Sequence, residues 1–280
     1  MHYTDQTYLK EKQYKDASSL NARMVLHQRF GEREGEVGWH RWLFDHYDLP
    51  EKSRVLELGC GPGTLWAENA DRIPDGWDVT LSDLSAGMLK EAKLSLKDIP
   101  HRFDFTVMDA QVIPFEDGFF DMVIANHVFH HISDPDLACA EIRRVLKPEG
   151  RVYAAMNAAT HLQELSELAA HLMDGASLKE FREVFEGQAF RLEQAEALFG
   201  RYFNEVSVHR PAKNDLYLTE AEPLIAYFLS MNASETFKQL GEEVTERLAA
   251  FKAYLNEQIA ERGSIHITRR AGLLEAHSPR

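Results

Sequence analysis

A strand that runs into three glycines within five residues leaves a chain few ways to fold. In the stretch Arg54-Val55-Leu56-Glu57-Leu58-Gly59-Cys60-Gly61-Pro62-Gly63-Thr64-Leu65, the short apolar run Val55, Leu56, Leu58 reads as a strand buried on both faces. Thr64 is a good N-cap, and Leu65 to Ala70 suit a helix. Strand, glycine turn and helix open a βαβ unit. Glycines there let backbone approach a ligand where a Cβ would collide.

The ligand is a separate question. Gly59, Gly61 and Gly63 give Gly-x-Gly-x-Gly, whereas a dinucleotide fold uses Gly-x-Gly-x-x-Gly; Trp66 stands where a later glycine would fall. Glu57, two residues before the first glycine, would repel a pyrophosphate and can hold an ammonium, directly or through water. The stretch resembles motif I of the class I S-adenosylmethionine (SAM) methyltransferases, in which this loop, Cys60 included, passes under the amino-acid part of SAM. A tight turn that serves no ligand is the alternative at this point.

Downstream segments extend the pattern. Trp77 to Asp83 reads as a second strand ending on an acid, and Asp83 lies twenty residues past Gly63. That is the offset at which an acid meets ribose hydroxyls in nucleotide-binding α/β folds. A carboxylate accepts from both hydroxyls; the alternative is an acid that only favours a helix N-terminus. Ser85 caps the next helix, and the resemblance lays that turn, with Leu84 and Met88, against adenine. Phe103 to Met108 reads as a third strand followed by Asp109-Ala110, which the resemblance assigns to the adenine amine and ring. Pro114 to Asp121 looks like the family's lead-in to a fourth strand, Phe119 to Ala125, and Asn126 then falls near the methionine part of SAM. Asp134-Pro135 starts a helix. Its end, Glu141-Ile142-Arg143-Arg144-Val145-Leu146-Lys147-Pro148-Glu149-Gly150, resembles the family signature before the fifth strand, Arg151 to Met156.

His127, His130 and His131 crowd the loop after the fourth strand. No cysteine or paired carboxylate at ligand spacing supports zinc, so no metal is expected. A loop at this strand end faces the transferable methyl in the family. His130 or His131 is therefore a candidate base for a substrate hydroxyl or amine, or else a residue that bonds backbone at a helix start.

Charge and cysteine content bound the function. The 280 residues carry a formal net charge of −14, which disfavours a nucleic-acid partner. Cys60 and Cys139 are the only cysteines, so neither a disulfide framework nor a Cys-x-x-Cys zinc site is available. With no signal-peptide core and no apolar run of spanning length, the expectation is a cytoplasmic protein without a membrane partner.

The flanks are less specific. Gln6 to Phe30 reads as weakly helical, and Trp39, Trp42, Leu43, Phe44 and Tyr47 form a helical stripe. Such a stripe is usually core; the resemblance adds Trp39 and Arg41 as lid candidates. Leu162 to Leu172 fits a helix with Glu164 and Glu167 on its solvated side. Leu178 to Tyr202 reads as helical, its phenylalanines either core or an acceptor-pocket lining. Phe203 to Val208 reads as the sixth strand, Glu220 to Arg262 as long helix, and Ser264 to Thr268 with Ala271 to Ala276 as the antiparallel seventh.

The resemblance, specific over about residues 50 to 157, is to class I SAM methyltransferases of the small-molecule type. It implies an α/β, Rossmann-like seven-stranded, mostly parallel sheet of order 3-2-1-4-5-7-6, with helices on both faces and a helical cover. The implied divisions are a cover at 1–50, a SAM-binding core at 51–157, a substrate-cover insertion at 158–202 and completion of the sheet at 203–280. It further implies direct methyl transfer from SAM to a small-molecule acceptor. An NAD oxidoreductase would share the glycine loop and Asp83 but give Asp109-Ala110 no task. A non-enzymatic SAM-binding sensor or partner protein would keep the cofactor motifs and lack an acceptor pocket.

Overall fold

The glycine-ended strand sits at the middle of the sheet. The computed structural model describes residues 4–31, 37–186, 190–212, 215–231 and 243–279. Its strands are β1 (Ser53–Leu58), β2 (Trp77–Asp83), β3 (Phe103–Val107), β4 (Phe120–Ile124), β5 (Leu146–Asn157), β6 (Phe203–His209), β7 (Leu216–Leu218), β8 (Ile265–Ile267) and β9 (Ala271–Pro279). Seven form one sheet in the order β3-β2-β1-β4-β5-β9-β6. Strands β1 to β5 pair in parallel, while β9 runs antiparallel to both β5 and β6. This is the expected order, with β9 as the seventh strand.

Ile265–Ile267, read as part of that seventh strand, instead pairs with Leu216–Leu218 in a separate two-stranded ribbon. Residues 268 to 270 break the run. The Glu164 carboxylate accepts from the Thr268 amide (2.8 Å) and hydroxyl, and the Asp215 carboxylate from the Arg269 amide (3.1 Å) and the Arg270 guanidinium. Glu164, expected on a solvated helix face, is thus half-buried and holds this kink.

Alternation along the strands explains the two covered faces. Val55, Met122 and Ile124 pack with Leu43, Trp66 and Leu89 on one side. Leu56, Leu58 and Val123 pack with Ile142, Leu198 and Phe199 on the other. Helices α1 (Gln6–Tyr8, continuing into a wide turn at Leu9–Gln13) and α2 (Ser18–Gly31) precede this layer. Helices α3 (Trp39–Phe44), α4 (Thr64–Glu68) and α5 (Ala86–Ser95) supply the first face, and α6 (Pro135–Val145) belongs to the second. Asp134 caps α6 through the Leu137 amide at 3.0 Å, with Pro135 at the first helical position.

Beyond β5, the chain builds a cap. Its helices are α7 (Leu165–Ala169), α8 (Gly175–Glu186), α10 (Glu222–Ser230) and α11 (Val244–Arg262); α9 (Leu192–Phe199) returns to the sheet. Residues 232–242, inside the expected long helix, lie outside the described residues. Leu26 of α2 is fully buried among Leu165, Phe181, Leu224, Phe228 and Phe251. One apolar core therefore ties the N-terminal helix to segments far along the chain. Phe181 and Phe185 stack in that core, and Phe190 and Phe199 pack on Phe129, so these rings serve packing. No described helix is long and apolar enough to cross a membrane.

Candidate active site

Parallel register brings the strand ends level. Glu57 pairs with Leu81 on one side and Ile124 on the other, and Asp83 with Val107. The residues just past these pairs therefore meet at one edge of the sheet, where open α/β sheets bind ligands. There the chain encloses a cavity of about 770 Å³, within the roughly 300–1,000 Å³ usual for small-molecule sites. Glu57, Gly59, Cys60, Gly61, Asp83, Leu84, Met88, Asp109, Ala110, Asn126, His130 and His131 all line it. Gly63 does not. It holds φ +78° as the cap of α4, and a Cβ on it would stand 3.0 Å from Leu96. Its task is the turn itself, and Thr64, read as the cap, is the first helical residue. Gly59 and Gly61 also have positive φ, 69° and 55°, a conformation that side chains rarely adopt.

At the β1–β3 end the wall is acidic. The Asp83 carboxylate accepts from the Gly61 amide (3.0 Å) and the Ser85 amide (2.8 Å), which braces the glycine loop against β2. Burial raises its pKa, and those amides with that of Leu84 pull it back. Glu57 is buried, accepts from the Trp66 indole at 2.6 Å, and has its pKa pushed up to about 7 by burial, partly offset by that bond. Burial also raises the Cys60 thiol well above its ordinary value. Asp109 accepts from the Gln111 amide at 2.9 Å and from the side chains of Gln111 and Gln6. Asn126 is committed to the frame. Its amide donates to the Tyr47 hydroxyl (2.9 Å) and its oxygen accepts from the Ala155 amide (3.2 Å).

At the β4–β5 end the wall is rich in histidine. His127 has φ +53°, a costly backbone for a residue with a Cβ, on the order of 1–3 kcal/mol. Its Nε2 accepts from the Trp39 indole at 3.2 Å, consistent with a pKa driven down to about 4 by burial. His130 packs on His131 with ring centroids 3.9 Å apart, and burial with its charged neighbours holds it well below the ordinary value. His131 Nε2 and the Tyr14 hydroxyl share a hydrogen bond of 2.7 Å. Sequence reasoning missed Gln6, at the acidic end, and Tyr14, Arg23, His27, His161 and Arg269, all of which line the cavity. The available signal was the four-residue spacing of Arg23 and His27 beside Leu20 and Met24 in the N-terminal helix.

The N-terminal segment lies against the cavity. Besides Gln6 and Tyr14, the Ser85 hydroxyl donates to the Tyr14 carbonyl at 2.7 Å, and a Cβ on Gly87 would stand 2.0 Å from the Lys15 carbonyl oxygen. Of the two lid candidates, Trp39 lines the cavity; Arg41 does not, and pairs with Asp71 on the surface at 2.6 Å. Among the described residues, no three histidine, cysteine or acidic side chains converge as a metal site.

A Rossmann-like sheet with an antiparallel last strand and a cavity at its carboxyl edge defines the class I methyltransferase fold. Residues 56–154 match the family described as a methyltransferase domain, and this segment belongs to that SAM-dependent class. A ubiquinone/menaquinone biosynthesis C-methyltransferase of Pectobacterium atrosepticum is 30% identical over 132 residues, 46% of this chain and 53% of that protein. A demethylmenaquinone methyltransferase of Renibacterium salmoninarum is 37% identical over 117 residues, 42% and 46% of the respective chains. The chain thus spans about half the length of the curated relatives it matches. Phosphoethanolamine N-methyltransferase 2 of Haemonchus contortus, solved in complex with SAM, superposes with a TM-score of 0.59 at 21% identity, over 100% of this chain and 60% of that one.

Proposed function

We propose that this protein binds SAM at the acidic end of the cavity and transfers its methyl group to a small molecule held at the histidine end. The observation that carries the reading is the continuity of one cavity from Glu57, Asp83 and Asp109 to His131. The acidic wall fits the cofactor chemically. Each Asp83 oxygen accepts one backbone amide and keeps a lone pair for a ribose hydroxyl. Asp109 already accepts from a primary amide nitrogen, that of Gln6, as it would from an adenine amine. Glu57, ionised above about pH 7, offers its charge to the ammonium. Leu84, Met88 and Ala110 supply the apolar contacts. Asn126 holds the β4 end in place through Tyr47 and Ala155 instead of pointing a free amide at ligand.

Bound SAM supplies a sulfonium methyl whose sulfur leaves as a neutral thioether. The acceptor's lone pair forms the new bond as the carbon–sulfur bond breaks onto sulfur. The chain aligns the partners within roughly 3–3.5 Å, excludes water with the N-terminal cover, and takes the acceptor's proton where there is one. His131, in contact with Tyr14, is better suited to that than His130, whose burial makes it a weak base. Incubating the chain with isotopically labelled SAM and a metabolite extract tests the reading. Label should pass to a small molecule; SAM binding with no transfer to any fraction would favour a sensor or partner protein instead.

A further inference from the structure

Two imidazoles at the histidine end have their tautomers set by the frame around them. The Trp39 indole donates to His127 Nε2 at 3.2 Å, and the Arg270 amide donates to His161 Nδ1 at 3.1 Å. An indole N–H and a backbone amide nitrogen only donate, so the ring nitrogen that each meets is the bare one. Both rings are neutral at pH 7. Burial drives the His127 pKa down to about 4. Burial, then the charges of His27 and His127, hold His161 well below the ordinary histidine value. A neutral imidazole that accepts through one nitrogen carries its proton on the other. His127 is therefore the Nδ1–H form and His161 the Nε2–H form.

The two N–H groups have no use inside the protein. Among the described residues neither makes a hydrogen bond, and neither is sealed away as the unpaired His27 Nδ1 is. Both rings line the cavity, so the donors open onto it. The frame holds the first of them at a cost. His127 keeps a φ of +53° because its amide donates to the Ala155 carbonyl at 2.8 Å and its ring is tied to Trp39. Strain of this kind gathers where the direction of a side chain matters. The next residue, Val128, packs on the glycine loop, where a Cβ on Gly59 would stand 2.9 Å from Val128 Cγ2. His127 thus stands next to the loop assigned to the amino-acid part of SAM. His161 belongs to the segment after β5, and its ring stacks on that of His27 with centroids 5.8 Å apart.

We propose that the methyl acceptor carries a carbonyl oxygen, as a ketone, ester or amide does, and that His127 Nδ1–H and His161 Nε2–H are the donors that hold it. The proposal rests on the methyltransferase reading of the same cavity and narrows its substrate class. A carbonyl oxygen offers lone pairs and has no proton of its own to place. An acceptor that presented only N–H groups here would set donor against donor. A site built on such donors rejects the analogue that lacks the matching atom.

The test uses the intact chain saturated with S-adenosylhomocysteine and three probes of similar shape: acetophenone, ethylbenzene and 1-phenylethylamine. In calorimetric titrations acetophenone should bind about tenfold tighter than either of the others. His161→Phe keeps a ring and deletes the donor, and should weaken acetophenone by about fivefold. S-adenosylhomocysteine affinity on the same preparation shows the fold intact. Nitrogen NMR on the histidine-labelled chain reads the tautomers directly, because protonated and bare ring nitrogens resonate far apart. His161→Phe and His127→Asn, the latter compatible with a positive φ, assign the two rings. His127 should be protonated at Nδ1 and His161 at Nε2, and both signals should move when acetophenone is added. The opposite tautomer in either ring, ethylbenzene or the amine binding as tightly as acetophenone, or undiminished acetophenone affinity in His161→Phe would overturn the assignment. Failure to bind S-adenosylhomocysteine at all would instead sink the methyltransferase reading, and this proposal with it.

Discussion

The two ends of the cavity are built by opposite means. The β1–β3 end is acidic, takes its carboxylates from strand ends within residues 57 to 110, and fixes each with backbone amides, side-chain donors or both. The histidine end is basic and takes its groups from α2, the β4 and β5 loops and the residues before β9. A sheet edge alone can form the first. The second exists only because Leu26 and the cap helices share one core. The comparison teaches that the end proposed for the cofactor is built by the sheet, and the end proposed for the acceptor by how the cap closes on it.

The largest expected effect separates the ends functionally. His131→Ala should cut kcat by about a thousandfold if it takes a proton in the transition state, with SAM affinity in calorimetry changed by less than about twofold. A parallel loss of SAM binding would show that the ends are not independent.

Next comes pH, where the ends have opposite signs. Glu57 holds its proton up to about pH 7 when folded, well above an exposed glutamate. Its penalty is absent below about pH 4.5, grows as pH rises from there towards the folded pKa near 7, and is complete above it, about 3 kcal/mol. Glu57→Gln should therefore stabilise the unliganded protein at pH 8 and do little at pH 4, read by denaturant melts. His27 and His127 behave in reverse. Their folded pKa values lie below the ordinary histidine value, so stability is full above about pH 6.5 and falls as pH drops. His27→Gln should flatten that acid limb and leave the alkaline one alone. Equal pH curves for wild type and both variants would remove the electrostatic part of the comparison.

A smaller change tests the acidic end by itself. Asp83→Ala removes a charged acceptor and should weaken SAM by about thirtyfold, on the order of 2 kcal/mol, with the fold intact by circular dichroism. Unchanged SAM affinity would break the ribose assignment.

This division also decides what the sequence disclosed. Sheet order, the glycine turn, the position of Asp83 and Asp109, and the Asp134-Pro135 cap were legible because each depends on residues near it in the chain. Strand β8 was misplaced because the break at Thr268 and Arg269 is made by Glu164 and Asp215, 104 and 54 residues away. The bond from Asn126 to Tyr47 was equally hidden, because Tyr47 belongs to a different helical segment. Arg23 and His27 share a legible helical spacing, but their meeting with His161 and Arg269 was hidden for the same reason. No local pattern reports that a helix face near residue 27 stacks on a loop near residue 161.

The smallest expected effect concerns the segment that touches both ends. Gln6 donates to Asp109 at the acidic end, while the Tyr14 hydroxyl meets His131 at the other. Tyr14→Phe deletes only that hydroxyl; the ring keeps its edge contact with His131 at 5.1 Å and its place under Arg23 at 5.5 Å. One neutral hydrogen bond is worth about 1 kcal/mol, so turnover should fall about fivefold while S-adenosylhomocysteine affinity holds. Gln6→Ala should do the reverse, loosening the cofactor and sparing the pH dependence of turnover. If Tyr14→Phe instead weakens cofactor binding and leaves kcat alone, the cover belongs wholly to the acidic end, and His131 owes its orientation to the loop after β4.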